Sequence, residues 1–561
     1  MAHALGLVAR SSILAMVDRA AYADPFPLTA LAERIGDKYA PIAAYTVPLT
    51  WPNLVQLLRT LPGAVLDDEL TSYLLEQSSL RTAAFDPLEY VIPDGLVPYP
   101  WQASAASGFA RIGASLLSDE PGTGKTVSAL LSLAERDVLH HDAYPALVVS
   151  YATVVSSWYA HSRVWLPSVH SFDYRGPKRH LRHDPAVVIT SYDTMMRDVD
   201  KLRAYGFRTL VLDEHHAVKS RDAKRTVAAT ELSAGIPLTI ELSGTPITHS
   251  PDDIFAPLRI MDPDTYPAHD RYVSRYLRSV PVDYGEQYDG FWPERVDEFN
   301  SGLAGVWRRV TKADALELPP KVYSERVVMM PPKWRTAYDA FAETMSATLP
   351  DDGGTLDVMH VLQQLTALMA MTSAPCTVEY TPNEDPDKPD HVHVQLEPTS
   401  WKVDALLDVL DERPTQQVVV FSPSRQLIDL AAVALDKRKT PYGMIVGGQS
   451  TKLRDAQVAS FQAGELPVML ATTQAGGIGI TLTAASTVVF LSRPWAYRDA
   501  IQAEDRAHRI GSERHESIEV VDIVVERSID QRVKEVLRDR KDSLDTFVTG
   551  AASVRELLRK D

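Results

Sequence analysis

Leu117-Ser-Asp-Glu-Pro-Gly-Thr-Gly-Lys-Thr126 decides how the rest of the chain is read. An apolar run enters it, a glycine-containing turn ends in Lys-Thr, and a helical pattern, Val127 to Leu133, leaves it. Strand, tight loop and helix in that order aim loop amides and a helix N-terminus at a polyphosphate. In such a loop Gly122, Thr123 and Gly124 form the turn, Lys125 brings a point charge to the outer phosphates, and the Thr126 hydroxyl ligates Mg2+. The match to Gly-x-x-x-x-Gly-Lys-Ser/Thr is incomplete, because its first glycine would fall at Asp119. Taken alone, the same residues also read as a glycine turn capping a helix.

Working outward, the chain has 561 residues, a length that suggests three or four domains. It is 45% hydrophobic and 23% charged, the composition of a soluble globular protein. No apolar run has the length of a membrane span, and no basic segment leads into an apolar run at the start, so neither a membrane nor a secretory signal is expected. A single cysteine, Cys376, excludes an intramolecular disulfide and a multi-cysteine zinc site, and a reducing cytoplasm is the simple inference. The net charge of −17 argues against a surface coated in basic groups but leaves room for a local basic cleft.

Residues 1–92 carry no readable motif. Ser11 to Ala21 and Leu54 to Leu61 look helical, with Pro48, Pro52 and Pro62 breaking the pattern. This stretch is expected to be a small accessory domain, either a prop for its neighbour or a contact for substrate, and a place where a protein partner could bind. From Tyr99, short apolar runs alternate with helical stretches. Strands are expected at Ala146–Ser150, Val187–Thr190, Thr209–Leu212 and Leu238–Leu242, as in a parallel sheet with crossovers. A polar segment from Asp262 to Asn300 reads as an insertion of helices and loops. Val322–Met330 reads as a strand and Trp334 to Met371 as helical. Thr381–Asp390, four-tenths acidic with three prolines, reads as a mobile surface loop. A second alternating series holds strands at Val418–Phe421, Val468–Ala471 and Val488–Leu491, ends near Phe547, and leaves a helical tail. There is no internal repeat, yet there are two α/β blocks.

Leu210-Val-Leu-Asp-Glu-His-His216 is an apolar strand ending in two acids. A carboxylate at the C-terminal edge of a parallel strand lies where ligands bind. Asp213 is placed to hold Mg2+, and Glu214 to orient or deprotonate an attacking water. A strand capped by surface acids would read alike without the phosphate loop upstream. The histidines lack cysteine partners and are not read as metal ligands; His216 suits a hydrogen-bonded relay. Leu242-Ser-Gly-Thr-Pro246 allows a tight loop against the phosphate site. Thr472 to Leu482 is a second glycine-rich loop. In Gln502-Ala-Glu-Asp-Arg-Ala-His-Arg-Ile-Gly511, Arg506 and Arg509 stand at i, i+3, one face of a helix, where they suit a phosphate. A solvated face with Glu504 and Asp505 pairing locally is the alternative.

Taken in order, these motifs resemble the Swi/Snf-type helicase-like ATPases of helicase superfamily two, over about Tyr99 to Phe547. Asp119 to Thr126 fits the family's phosphate loop, missing first glycine included. Asp213-Glu214-His215-His216 looks like its acidic box and Ser243-Gly244-Thr245-Pro246 like its third motif. Trp307 to Lys312 and Leu318 to Lys321 look like its bridge, and Ala475 to Gly479 and Gln502 to Gly511 are the most specific matches. Gly479 to Ala485 followed by Gln502 to Arg506 is similar to the annealing-helicase (HARP-like) branch. Pro121, Ser512 and Trp495-Ala-Tyr497 depart from frequent family residues and remove no catalytic group.

The resemblance implies an α/β fold of two RecA-like parallel-sheet lobes in tandem, with helical insertions and the small N-terminal domain. The boundaries it implies are 1–92, 93–320 (lobe one), 321–400 (helical insertion and linker), 401–547 (lobe two) and 548–561 (tail). It implies ATP and Mg2+ as cofactors. Gln102, beside Tyr99 and Trp101, would contact adenine, and Gly477 and Gly479 would line the nucleotide site. Lys125, Asp213, Glu214, Arg506 and Arg509 would be catalytic, the arginines as fingers from lobe two. DNA, duplex and without sequence preference, would meet Thr190, Ser191, Tyr192, Thr472 and Thr473, with Lys178, Arg179, Arg182 and the Lys219–Arg225 cluster adding charge. The implied activity is ATP-driven movement on double-stranded DNA, with a strand-separating or annealing helicase and a DNA-binding scaffold as alternatives.

Overall fold

The computed structural model describes residues 3–534 except 10–11, 19–32, 36–41, 61–63, 83–86, 178, 182–185, 245, 247–250, 283–284, 349–357, 382–390, 477–479 and 496. The chain divides into two compact units, Met1–Thr311 and Lys312–Asp561.

The first unit is built on a seven-stranded sheet in the order Trp307–Arg308, Ala114–Leu117, Leu238–Leu242, Thr209–Asp213, Ala146–Ser150, Val187–Ser191 and Ser171–Asp173. Every neighbouring pair is parallel. The central strands are buried along their whole length, which is why they read as unbroken apolar runs and not as alternating ones. Alternate residues nevertheless serve opposite faces. Ala146 and Val148 join the cluster of Phe109, Leu130 and Trp158, while Leu147 and Val149 join that of Leu202, Leu210 and Leu232. Each fully buried Val, Leu or Phe among them contributes roughly 1.5–3 kcal/mol relative to exposure.

Parallel pairing sends every strand's C-terminal end to the same edge of the sheet. The loops after Leu117, Asp213 and Leu242 therefore emerge side by side.

The second unit repeats the plan with six parallel strands, in the order Lys321–Val328, Ile518–Val525, Thr487–Phe490, Val418–Ser422, Val468–Thr472 and Tyr442–Ile445. The strands expected in both series are present within a residue or two at their ends.

Other expectations need correction. Ser12–Asp18 is a strand, not a helix. It pairs antiparallel with His3–Ala9 on one side and Ile42–Pro48 on the other, in a five-stranded sheet. A short apolar run is ambiguous by period, and pairing on both edges decides it. Pro52 does not break the following helix but lies in its first turn, Trp51–Thr60, where a missing N–H costs nothing. The insertion contains an antiparallel hairpin, Leu277–Val282 with Gly285–Phe291, between the helices His269–Tyr276 and Pro293–Gly302. Its tyrosines are core: Tyr266, Tyr272 and Tyr276 pack with Phe255 and Phe299. The helix Trp51–Thr60 docks there, with Trp51 Nε1 donating to the Ser301 carbonyl at 3.0 Å.

In the second unit the long helical stretch is two helices, Pro332–Thr348 and Val358–Ser373. The acidic loop after Thr381 and the expected tail lie outside the described residues. Cys376–Thr381 and His391–Leu396, which flank that loop, pair antiparallel. Among the described residues no helix is long and apolar enough to cross a membrane.

Candidate functional site: a phosphate loop and an acidic strand end

The strand Ala114–Leu117 runs into the loop, and the helix Lys125–His140 leaves it. Gly122 and Gly124 have φ of 91° and 87°, a backbone that side chains other than glycine's adopt at a cost. At Gly124 a second reason applies: a Cβ would lie 2.2 Å from Gln102 Nε2. Gln102 is buried, and both ends of its amide are engaged. Nε2 donates to the carbonyls of Thr123 (3.1 Å) and Gly124 (3.4 Å), and Oε1 accepts from Tyr99 N–H at 3.0 Å. The residue expected at adenine thus braces the phosphate loop. Trp101 Nε1 adds a bond to the Thr123 carbonyl, and the Tyr99 and Trp101 rings stack 4.4 Å apart. Thr123 is turned inward, its hydroxyl donating to the Glu120 carbonyl at 2.9 Å. Thr126 sits in the first turn of the helix, and Lys125 Nζ donates to the carbonyls of Asp119 (2.7 Å) and Glu120 (3.3 Å).

Asp119, at the position of the missing glycine, is fully buried, and its Oδ1 accepts from Val310 N–H at 2.8 Å. Burial pushes its carboxyl up to about 6, against the pull of Lys125 and of that hydrogen bond.

Asp213 closes the strand Thr209–Asp213, and Glu214 follows with φ 56° and ψ 58°. A left-handed backbone costs a non-glycine residue roughly 1–2 kcal/mol. Burial and the neighbouring Glu214 charge push Asp213 up to about 7, opposed by a hydrogen bond from Trp158 and by Lys125. Trp158 Nε1 donates to Asp213 Oδ2 at 2.7 Å, and Tyr192 OH donates to the Asp213 carbonyl at 2.9 Å. No motif pointed to Trp158. Its only sequence signal is an aromatic residue in a helix, Val155–Trp165, that packs on the sheet.

His216 stands among three neighbours: Tyr151 OH at 3.2 Å from Nε2, and Glu214 Oε2 (3.3 Å) and Ser243 Oγ (3.5 Å) from Nδ1. The acidic strand end is thereby linked to the loop after Leu242. That loop also touches the phosphate loop, since a Cβ on Gly244 would meet Pro121 Cγ at 2.7 Å. Beneath them His215 Nδ1 lies 3.0 Å from Glu241 Oε2, both fully buried. Burial drives His215 down to about 3 and Glu241 well above its ordinary value, each toward its uncharged form.

In the second unit the helix Tyr497–Glu504 ends before either arginine, which corrects the expectation of one helix face. The chain bends back there, Leu482 N–H donating to the Arg506 carbonyl at 2.8 Å. The two guanidinium groups still converge: Arg506 Nη1 lies 3.4 Å and Arg509 Nη1 3.5 Å from the Ile480 carbonyl. Glu504 and Asp505 hold lysines and a third arginine. Lys312 Nζ is 2.6 Å from Asp505, Lys321 Nζ is 2.8 Å from Glu504, and Arg493 Nη1 is 3.0 Å from Glu504. Burial alone would raise the Glu504 carboxyl, but Lys321 and Arg493 hold it below its ordinary value. Gly477 and Gly479 lie outside the described residues.

The residues expected at DNA are inside. Thr190, Ser191, Tyr192, Thr472 and Thr473 are all at most 8% exposed. Thr190 donates to the Tyr174 carbonyl, Ser191 caps the helix that starts at Tyr192, and the Tyr192 hydroxyl is bound to Asp213. Arg179 is paired with Asp198 at 2.6 Å and Lys219 with Asp253 at 3.4 Å, while Lys178 and Arg182 lie outside the described residues.

The donor set of Thr126 hydroxyl and Asp213 carboxylate is hard oxygen, the chemistry that suits Mg2+. Among the described residues no group of three His, Cys, Asp or Glu side chains is placed to hold a metal by itself.

The SNF2-related domain family matches residues 98–376, and the helicase conserved C-terminal domain family matches residues 401–511. A Caenorhabditis elegans homolog of SWI/SNF-related matrix-associated actin-dependent regulator of chromatin subfamily A-like protein 1 is 27% identical over 83% of this chain. The Mus musculus DNA annealing helicase and endonuclease ZRANB3 is 25% identical over 77% of it. The aligned region spans 65% and 39% of those two relatives' own length. The solved Sulfolobus solfataricus SWI2/SNF2 ATPase core in complex with dsDNA covers 82% of this chain and 94% of its own, at 20% identity and a TM-score of 0.40.

Two stability measurements test this geometry. Replacing Glu214 by glycine relieves the left-handed strain and the like charge beside Asp213, and should raise the thermal midpoint of the full chain, by about 1 kcal/mol of stability. An unchanged or lower midpoint contradicts the strain. Glu241 is raised on folding, so its stabilising contribution is complete below the unfolded carboxylate value and fades as pH rises. Glu241→Gln should therefore gain on the wild type between pH 5.5 and 8, by at most about 1.4 kcal/mol per pH unit. Parallel midpoint-versus-pH curves would rule out a buried neutral Glu241.

Proposed function

The chain belongs to the SNF2-related ATPases of helicase superfamily two, and on that premise we propose that it is a DNA-stimulated ATPase that moves along duplex DNA. The observation that carries the reading is the convergence of three loops at one sheet edge: Lys125–Thr126, Asp213–Glu214 and Ser243–Gly244.

In the proposed reaction Lys125 leaves the Asp119 and Glu120 carbonyls for the outer phosphate oxygens of ATP. Thr126 and Asp213 would hold Mg2+, which would neutralise phosphate charge when bound. Glu214, aimed by its backbone, orients a water toward the γ-phosphorus and takes its proton. The bond to the β,γ-bridging oxygen breaks, and ADP and phosphate leave. Arg506 and Arg509 neutralise charge on the transferred phosphoryl group, a role worth roughly 10³- to 10⁵-fold in related enzymes.

Adenine would fall to the Tyr99–Trp101 stack, since Gln102 is engaged with the loop. DNA contact would come from main-chain amides and exposed basic groups such as Lys224 and Arg225, because the expected hydroxyls are buried. The region 1–92 is a proposed accessory domain that offers a surface for a protein partner. The likeness to the Mus musculus annealing helicase favours a second reading in which the motor re-pairs complementary strands.

An ATPase titration with single-stranded, duplex and forked DNA tests the proposal. Duplex should stimulate turnover, and Lys125→Ala and Glu214→Gln should each lower it by at least about a hundredfold in a folded chain. Apparent DNA affinity should fall with salt at a log–log slope of about −0.9 per neutralised phosphate. Turnover indifferent to every form of DNA sinks the motor reading. Displacement of a triplex-forming strand without unwinding of a fork marks translocation, and unwinding of the fork marks strand separation.

A further inference from the structure

Glu135 is a fully buried acid of the first unit that takes no part in the reaction proposed above. It stands on the helix Lys125–His140, which leaves the phosphate loop, about 15 Å further along it than Lys125. Its carboxylate therefore does not touch a phosphate held at that loop. Its partners are main-chain amides from an earlier stretch of the chain. Oε2 accepts from Glu89 N–H and from Tyr90 N–H, both at 2.9 Å, and Oε1 accepts from Glu89 N–H at 3.2 Å. Arg111, on the helix Pro100–Ile112, brings its guanidinium to 3.7 Å from Oε1. A carboxylate offers acceptors alone, which suits two amides that arrive together.

The stretch held in this way leads to the Tyr99–Trp101 stack. Leu88, Tyr90 and Ile92 lie over Ala106, Val127 and Leu131, side chains of the helices Pro100–Ile112 and Lys125–His140. Tyr90 OH donates to the Trp165 carbonyl at 3.0 Å. The chain then runs along the surface, with Val91 and Val97 84% and 85% exposed. A turn with Gly95 at φ 80° closes on a bond from Leu96 N–H to the Pro93 carbonyl at 3.1 Å. At Tyr99 the chain is fastened again, by the amide bonded to Gln102 and the ring stacked on Trp101. No residue from 93 to 98 is fully buried, so the course of that lip is set by its two ends. One end is the contact of Tyr99 and Gln102 with the phosphate loop. The other is the pair of amides on Glu135.

We propose that Glu135 is a positioning residue for the nucleotide base: it anchors residues 88–92, and through them the exposed lip 93–98, so that the Tyr99–Trp101 stack is presented to adenine. The inference rests on the ATPase reading above and on its assignment of adenine to that stack. One helix then serves both ends of the nucleotide. Its first residues, Lys125 and Thr126, meet the phosphates, and Glu135, about three turns on, fixes the chain that meets the base. The separation of base and phosphate sites is thereby measured against a single rigid element. The base is not altered in the reaction, so the anchor supports bound ATP and its transition state alike. Its loss falls on binding and not on turnover.

The test is calorimetric ATP binding and steady-state hydrolysis by the full chain at saturating duplex DNA, with inorganic tripolyphosphate as a competitor that carries no base. Glu135→Gln keeps the shape of the side chain but turns an NH2 group toward two amides. It should weaken ATP binding and raise the KM for ATP roughly tenfold. The kcat should stay within about threefold of wild type, and inhibition by tripolyphosphate should be unchanged. Glu89→Pro deletes one amide donor from an exposed residue and should raise KM in the same sense, which decides the matter if Glu135→Gln does not fold. Tyr99→Ala should itself weaken ATP binding, and adding Glu135→Gln to it should cost nothing more, because both act through one stack. Folded variants that bind ATP like the wild type, an equal loss of tripolyphosphate affinity, a loss confined to kcat, or losses that multiply in the combined variant overturn the anchor. Tyr99→Ala with wild-type ATP binding counts against the adenine stack, and a wild-type chain that does not bind ATP counts against the ATPase reading itself.

Discussion

The Asp119 carboxylate receives the Val310 amide in a place water does not reach. A hydrogen bond to a charged group is worth about 1.5–3 kcal/mol, and leaving such a buried acceptor unmet costs more than its mean value suggests. That contact sets how the phosphate loop lies. It holds the residue whose carbonyl receives Lys125, and it ties the loop to the edge strand that leaves the first unit. Gln102 braces the other side of the same loop, bonded to two of its carbonyls and filling the space above Gly124. A loop of glycines with no intrinsic shape is thus held rigid by one carboxylate and one amide before any ligand arrives, which is how a site avoids reorganisation at the moment of reaction.

The acidic strand end shows the opposite economy. Asp213 and Glu214 are adjacent like charges, the second in a strained backbone, and both sit over a buried His215–Glu241 pair. None of this stabilises the fold. A Gly at 214 and apolar residues at 215 and 241 would pack with less penalty. What the arrangement supplies is aim: Trp158 and Tyr192 fix Asp213 from the side chain and the main chain, and His216 joins Glu214 to Ser243. Strain of this kind persists where the surroundings over-determine the geometry, and here five parallel strands do so.

The sheets were legible because buried parallel strands leave continuous apolar runs, and the loops because glycine and paired acids at strand ends have few other uses. What stayed hidden followed from tertiary context. Ser12–Asp18 has no period to separate strand from helix, and its two pairing partners decide it. The spacing of Arg506 and Arg509 suggested a helix face. The helix ends at Glu504, and a shared carbonyl, not a shared face, brings the guanidinium groups together. The hydroxyls of Thr190, Ser191 and Tyr192 fit a phosphate-contact motif, yet in place they cap a helix and hold a strand end. Trp158 carries no motif and Val310 lies unmarked inside the bridge segment Trp307 to Lys312, and only the packed structure joins them to Asp213 and Asp119. Glu504 and Asp505 sit beside two arginines in sequence but bind Lys312 and Lys321.

The proposed function assigns phosphate-holding groups to the first unit and charge-neutralising arginines to the second. Single-turnover cleavage of γ-labelled ATP by the chain carrying both Arg506→Ala and Arg509→Ala, with ATP affinity measured beside it, tests this most directly. The account predicts binding within about threefold of wild type and cleavage slower by roughly 10³- to 10⁵-fold. Cleavage within about tenfold of wild type would contradict it, because the first unit would then hydrolyse ATP without the arginines.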